Sequence, residues 1–394
     1  MKTGDRTFPT LNALRAVGAI MVVCTHAAFN TGEITRGWTG AALARLDFGV
    51  TLFFILSGFL LSRPFLLAKA RHEPGPSVRH YLWKRALRIL PLYWVVVLVS
   101  LFFDKANKIL TTTQWIEHLT LTQIYSKGLL ASSLTQMWSL CTEVLFYLVL
   151  PLLVPVLTMT RKRPGLDLPT VMVRSGVLAV LGVSWQARVA IIPGYQGHYA
   201  QWLPGFMPWF LVGVAFAAVS AHLVVNGGTH LFERLGHDLT GCWIAAVATF
   251  ALACSPIAGP RLLLVPGAWE AGSKVVLYTI SGAFFVLPLV FGPETEGRAR
   301  AWLSGPLPFW LGEISYGIFA IHMFVLNKVF IATDTDIFTG HFIMILGLTL
   351  IVTIVLAGLS FHLFEKPILR FKNVRWAVRM ERRTSDLPTD APVS

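Results

Sequence analysis

Five ionisable side chains in apolar surroundings carry the chemical interest of this sequence. Arg15 and His26 share one apolar segment, Leu11 to Phe29, and lie eleven residues apart. On a helix rising about 1.5 Å per residue they are separated by about 16 Å along the axis, so one sits near a membrane face and the other deeper. A neutral imidazole at that depth can take a proton from a hydroxyl, because the reference pKa of histidine is about 6.5. The structural alternative is a histidine that serves helix packing through a hydrogen bond. Arg85 and Arg88, three residues apart in Lys84-Arg85-Ala86-Leu87-Arg88, project from one face of a helix. Guanidinium forks match phosphate oxygens, so with Arg15 and Lys84 they can hold the phosphates of a nucleotide-like cofactor. Their alternative role is anchoring a span to lipid headgroups.

The fifth group is Glu143, in Trp138-Ser139-Leu140-Cys141-Thr142-Glu143. A carboxylate within a span needs a partner, and His26 is the obvious one: a carboxylate would orient the ring and stabilise its protonated form. A hydrogen bond to Trp138, Tyr147 or nearby backbone is the alternative. His322 is a second histidine inside an apolar segment and reads chiefly as a packing residue. Ser57 lacks the strand-to-helix elbow of a hydrolase nucleophile, and the Ser57-Gly58 pair suits close helix approach instead. No phosphate-binding loop, dinucleotide glycine fingerprint, zinc-peptidase motif or CxxC spacing is present, so ATP hydrolysis, hydride transfer and metal chemistry lack their usual sequence support.

The elements that must position these groups are membrane helices. Of 394 residues 55% are hydrophobic and only 13% charged, far too apolar for a soluble domain. With about 20 apolar residues needed per crossing, ten spans are expected, making this an all-α polytopic membrane protein. One membrane domain covers 1–380, and a short tail, 381–394, lacks apolar periodicity and reads as disordered. The net charge of +13 reports topology before any nucleic-acid partner. Basic residues gather on the side of the termini (Lys69, Arg71, Arg79, Lys84, Arg174, Arg234, Lys366), which positive-inside logic makes cytoplasmic. The segment from 104 to 137, on the other side, is polar enough to hold a short interfacial helix near Thr113 to Thr122 and to cover the outward mouth. The first apolar stretch is too long and too polar to be a signal peptide and reads as a retained first helix.

In this order the pieces resemble the membrane acyltransferase-3 family of bacterial O-acyltransferases. The matching segments are Leu11-Asn12-Ala13-Leu14-Arg15 followed by His26, Gly49 to Phe59, Arg85 to Tyr93, Trp138 to Glu143, Ile314 to Phe319, and Phe364-Glu365-Lys366-Pro367. Asn12 departs from the family pattern, which commonly has Asp there. The length resembles members without a fused extracytoplasmic domain. The resemblance implies transfer of an acyl group, often acetyl, from cytoplasmic acyl-CoA to a hydroxyl of a glycan, glycolipid or small-molecule acceptor. It also implies His26 as the catalytic histidine, Arg15, Arg85 and Arg88 at the donor site, no metal, and residence in the bacterial plasma membrane among its lipids. An exporter of an acylated or anionic small molecule is the rival reading. It lacks the paired discontinuous helices or two-half repeat that a transporter is expected to show.

Overall fold

The computed structural model describes residues 8–373 apart from 129, 161–164, 193–195, 262–263 and 294–295. The tail segment 381–394 and the charges Lys2, Arg6, Arg161, Lys162 and Arg163 lie outside the described residues. Among the described residues the secondary structure is helical without strands. Ten helices carry the chain back and forth: α1 Pro9–Asn30, α2 Gly49–Ala70, α3 Val78–Phe103, α4 Trp138–Thr158 and α5 Leu168–Ala190, then α6 Leu203–Asn226, α7 Leu239–Ala253, α8 Ala268–Phe291, α9 Pro306–Ala332 and α10 Phe342–Ser360. Nine are individually long and apolar enough to cross a membrane; α7 qualifies with the short helix Leu231–His237, from which it turns by 95°.

Long-range hydrogen bonds fix the direction of α7. Arg300, beyond the end of α8, donates to the Gly236 carbonyl just before α7. At the other end Arg45, which precedes α2, donates to the carbonyls of Ala253 and Ala258. The helix therefore runs between opposite faces, and α1 and α10 begin and end accordingly.

Apolar residues alone do not order helices in lipid, since lipid tails are as apolar as leucine; close contact between small residues does. A Cβ on Gly58 of α2 would lie 2.1 Å from the carbonyl oxygen of Phe210 on α6, and one on Gly213 would lie 2.1 Å from that of Ile55. These two glycines lock α2 against α6. Gly49 does the same for α1, where a Cβ would come within 2.3 Å of the Gly18 oxygen. Facing outward, α10 exposes Ile343, Ile351, Val355 and Leu359, and α5 exposes Val173, Val177 and Val180, as lipid-facing helices do.

Proline at the first position of α1 and of α9 starts each helix where its missing N–H is harmless. The basic run opens α3 rather than preceding it, which gives that span its 26 residues. The expected interfacial helix is present at Thr112–Leu119, begun by a capping box in which Thr111 and Gln114 bond each other's backbone.

Candidate active site

Two cavities penetrate the bundle, and Val50 and Phe319 line both. The first, about 110 Å³, is bounded by Arg15 from α1, Ser57 from α2, Arg85 and Arg88 from α3, Glu143 and Tyr147 from α4, and Tyr316 from α9. The second, about 480 Å³, is bounded by His26 and Asn30 from α1, Asp47, the segment before α4 and Asn327 from α9. The axial spacing of Arg15 and His26 along α1 places them in different cavities, and Val50 and Phe319 border both where the two approach each other.

Helical phase assembles the first cavity. Arg85 and Arg88 share a face of α3 and meet Arg15 across the bundle. Arg88 donates to the Glu313 carbonyl at 2.9 Å and pairs with Glu365 at 3.7 Å. Glu365 is only 5% exposed, and a single π turn, Phe361–Glu365, closes α10 there. Such turns recur at functional sites because they shift one side chain out of helical phase. Sequence suggests only a charged stop at this point, whereas the carboxylate reaches back to the arginine cluster. Arg15 donates to Asn12 at 3.2 Å, so the asparagine at the departure from the family pattern holds this guanidinium in place. The Nε of Arg85 is buried with no hydrogen-bond partner among the described residues. An orphaned cationic donor facing a cavity with three guanidinium groups suits an anionic ligand.

Glu143 belongs to this cavity. Its Oε1 accepts from the Ser57 hydroxyl and, at 2.8 Å, from Tyr147. The pair with His26 expected from sequence is not made: α4 turns the carboxylate toward the arginines. Ser57 thus orients Glu143, while its neighbour Gly58 makes the helix contact.

His26 has two other companions. Its Nδ1 lies 2.9 Å from the Val22 carbonyl and 3.1 Å from Nε2 of His322, whose own Nδ1 lies 2.7 Å from the Phe319 carbonyl. A carbonyl only accepts, so in the neutral rings each Nδ1 carries the proton. His322 Nε2 then receives the His26 Nδ1–H, and His26 Nε2 keeps its lone pair for a ligand in the second cavity. His322, fully buried, is therefore a partner of His26 as well as a packing residue.

Asp47 supplies the carboxylate that Glu143 does not. It lines the same cavity as His26 and acts on it electrostatically. Lys274 at 2.6 Å and the Tyr278 hydroxyl hold it ionised and fixed. Its sequence signal is slight, an acidic residue two positions before the glycine that opens α2. Lys274 and Tyr278, over two hundred positions away, give no hint of it.

The segment before α4 forms one side of the second cavity. Ser132, Ser133, Thr135 and Gln136 form part of its wall, and Asn327 reaches Ser133 at 2.8 Å. His118 fastens this segment: its Nδ1 donates to the Gln114 carbonyl at 2.7 Å and its Nε2 accepts from the Ala131 amide at 3.0 Å. Among the described residues no group of three or more His, Cys, Asp or Glu could hold a metal ion.

The profile of the acyltransferase domain family, Acyl_transf_3, matches residues 8–359. The peptidoglycan O-acetyltransferase OatA of Listeria monocytogenes is 25% identical over 393 residues, covering 91% of this chain and 55% of its own. Nodulation protein 10 of Rhizobium leguminosarum is 22% identical over 394 residues, covering 93% and 95%. The chain thus spans about half the length of the first of these relatives and nearly all of the second. No solved structure matches it significantly. With the profile extending from α1 into α10 over both cavities, this chain belongs to the Acyl_transf_3 acyltransferase family.

Proposed function

We propose that the protein is a membrane O-acyltransferase that moves an acyl group, acetyl foremost, from acyl-CoA to a hydroxyl of a glycan, glycolipid or small molecule. The observation that carries this reading is the pair of cavities meeting at Val50 and Phe319, with guanidinium groups in one and the His26 lone pair facing the other. The first cavity has room for an acyl group and the end of its thioester arm, so the diphosphate of the donor lies toward the lip, against Arg85, Arg88 and Arg15. Basic residues at that face, including Lys69, Arg71, Arg79 and Lys84, support a cytoplasmic donor side in a bacterial plasma membrane.

His26 Nε2 takes the proton of the acceptor hydroxyl as its oxygen attacks the thioester carbonyl. The C–S bond breaks, and the departing thiolate recovers that proton from the imidazolium, giving ester and free thiol. Asp47 opposes the positive charge that His26 carries meanwhile, and His322 holds Nδ1 so that Nε2 faces the hydroxyl. Glu143 acts on the donor side, fixing Arg15 and Arg85 through charge.

The test uses purified protein with radiolabelled acetyl-CoA and candidate glycans. Labelled ester should form, and His26→Ala should abolish it at unchanged membrane abundance, given that a positioned base contributes roughly 10²–10⁴-fold. Normal transfer by His26→Ala removes the assignment, and a pure exporter transfers no label in any form.

A further inference from the structure

The two cavities differ in charge. No lysine or arginine lines the cavity of His26, and its one carboxylate, Asp47, is already matched by Lys274. Three amide side chains join the hydroxyls of Thr25, Ser132, Ser133 and Thr135 in the polar wall, and each amide commits one N–H to the protein. Gln136 Nε2 donates to the Ala320 carbonyl at 3.0 Å, Asn30 Nδ2 to the His26 carbonyl at 2.8 Å, and Asn327 Nδ2 to the Ser133 hydroxyl at 2.8 Å. The first two partners are carbonyls that can only accept, so the nitrogen and oxygen of Gln136 and Asn30 cannot be exchanged.

Among these amides the Gln136 oxygen is the buried acceptor left without a partner. Gln136 is 2% exposed, and its Oε1 is buried without a hydrogen-bond partner among the described residues. A buried acceptor left unpaired is destabilising, and a hydroxyl donor from a ligand would satisfy it. A carboxylate or phosphate would instead face Asp47, with no lysine or arginine in the wall to compensate its lost hydration. Trp138 lines the same wall, and an indole ring suits contact with the apolar side of a sugar.

We infer that the His26 cavity is the site of an uncharged, polyhydroxylated acceptor, and that Gln136 Oε1 recognises one of its hydroxyls. This rests on the acyltransfer reading and adds the charge class of the acceptor and a specificity-determining residue. Charge then sorts the two substrates: the anionic donor is drawn to the arginines, and a neutral sugar to the amides. His26 works at the boundary between them.

The test compares acyl transfer from radiolabelled acetyl-CoA, by the purified full chain, to length-matched oligosaccharides. Chitotetraose, cellotetraose and maltotetraose are neutral, and tetragalacturonate is anionic. At least one neutral sugar should be labelled with a kcat/KM roughly tenfold or more above that of the uronate. Gln136→Met should raise the KM for that sugar roughly tenfold while the KM for the donor stays unchanged. Equal or preferred labelling of tetragalacturonate overturns the charge assignment, and this comparison needs no variant. An unchanged acceptor KM in Gln136→Met overturns the role of Gln136. Failure to label any of the four, together with failure to release thiol from the donor, overturns the acyltransfer reading and this inference with it; thiol release without label overturns the inference alone.

Discussion

Nε2 of His322 approaches Nδ1 of His26 to 3.1 Å. The two rings come from α1 and α9, and their tautomers are set by carbonyls of their own helices. Removing the second ring should leave the first able to rotate and to deliver Nδ1 rather than Nε2. His322→Phe should therefore lower kcat roughly tenfold, the equivalent of about one hydrogen bond, with both KM values little changed. His322→Gln, which can restore an acceptor, should recover part of the loss. Steady-state kinetics of the two variants separate positioning from packing, because a packing role would favour Phe over Gln.

Arg85 and Arg88 should affect donor binding instead. Losing a hydrogen bond to a charged group costs about 1.5–3 kcal/mol, so Arg85→Ala should raise the KM for acyl-CoA by roughly tenfold to a hundredfold. Arg88→Ala has a second effect, since it leaves the buried Glu365 without its cation, and thermal unfolding should show that variant to be the less stable.

Asp47 takes the place beside His26 that sequence alone suggests for Glu143. Glu143→Gln should change the donor KM, whereas Asp47→Asn should lower kcat by withdrawing the charge that faces the imidazolium. A larger kcat effect at Glu143 than at Asp47 in the same assay would contradict this division.

Phe319 borders both cavities, so Phe319→Ala should widen the passage between them. Water from the His26 side would then reach the thioester. Acyl-CoA hydrolysis without acceptor should rise, measurable as free thiol released by purified protein, and the ratio of ester formed to thioester consumed should fall.

Acid should loosen the segment that forms one side of the second cavity. Burial holds the His118 imidazole below the usual histidine range, against the opposing pull of the Gln114 carbonyl and Glu117. Its neutral form receives the Ala131 amide. The stabilisation is therefore complete above the unfolded value of about 6.5 and is lost as the pH falls below it toward the folded value. The protection of the Ala131 amide, relative to its intrinsic exchange rate at each pH, should fall from pH 7.5 to pH 5.5, and His118→Gln should remove that dependence.

Local spacing made much of this protein legible. The helix order follows from apolar segment length, the short helix near Thr113 from its polar, amphipathic stretch, and the shared face of Arg85 and Arg88 from an interval of three. The glycine contacts of α2 were likewise readable from Ser57-Gly58. What escaped sequence is set by helix rotation and by long-range proximity. Glu143 appears to a linear reading as the natural partner of His26, but α4 points it at the arginines. Asp47 looks like an edge charge until Lys274 and Tyr278 are folded against it. His322 stands 296 positions from His26, and nothing local announces their meeting.

The brevity of α7 also bears on the surrounding lipid. Fifteen residues extend about 22 Å, against a hydrocarbon layer roughly 30 Å thick. Ile244, Val247 and Leu252 on this helix are exposed, so acyl chains meet a wall shorter than themselves. Local thinning of the bilayer is one way to match so short a helix, and along this flank it would give shorter-tailed lipids a preferred berth beside α7.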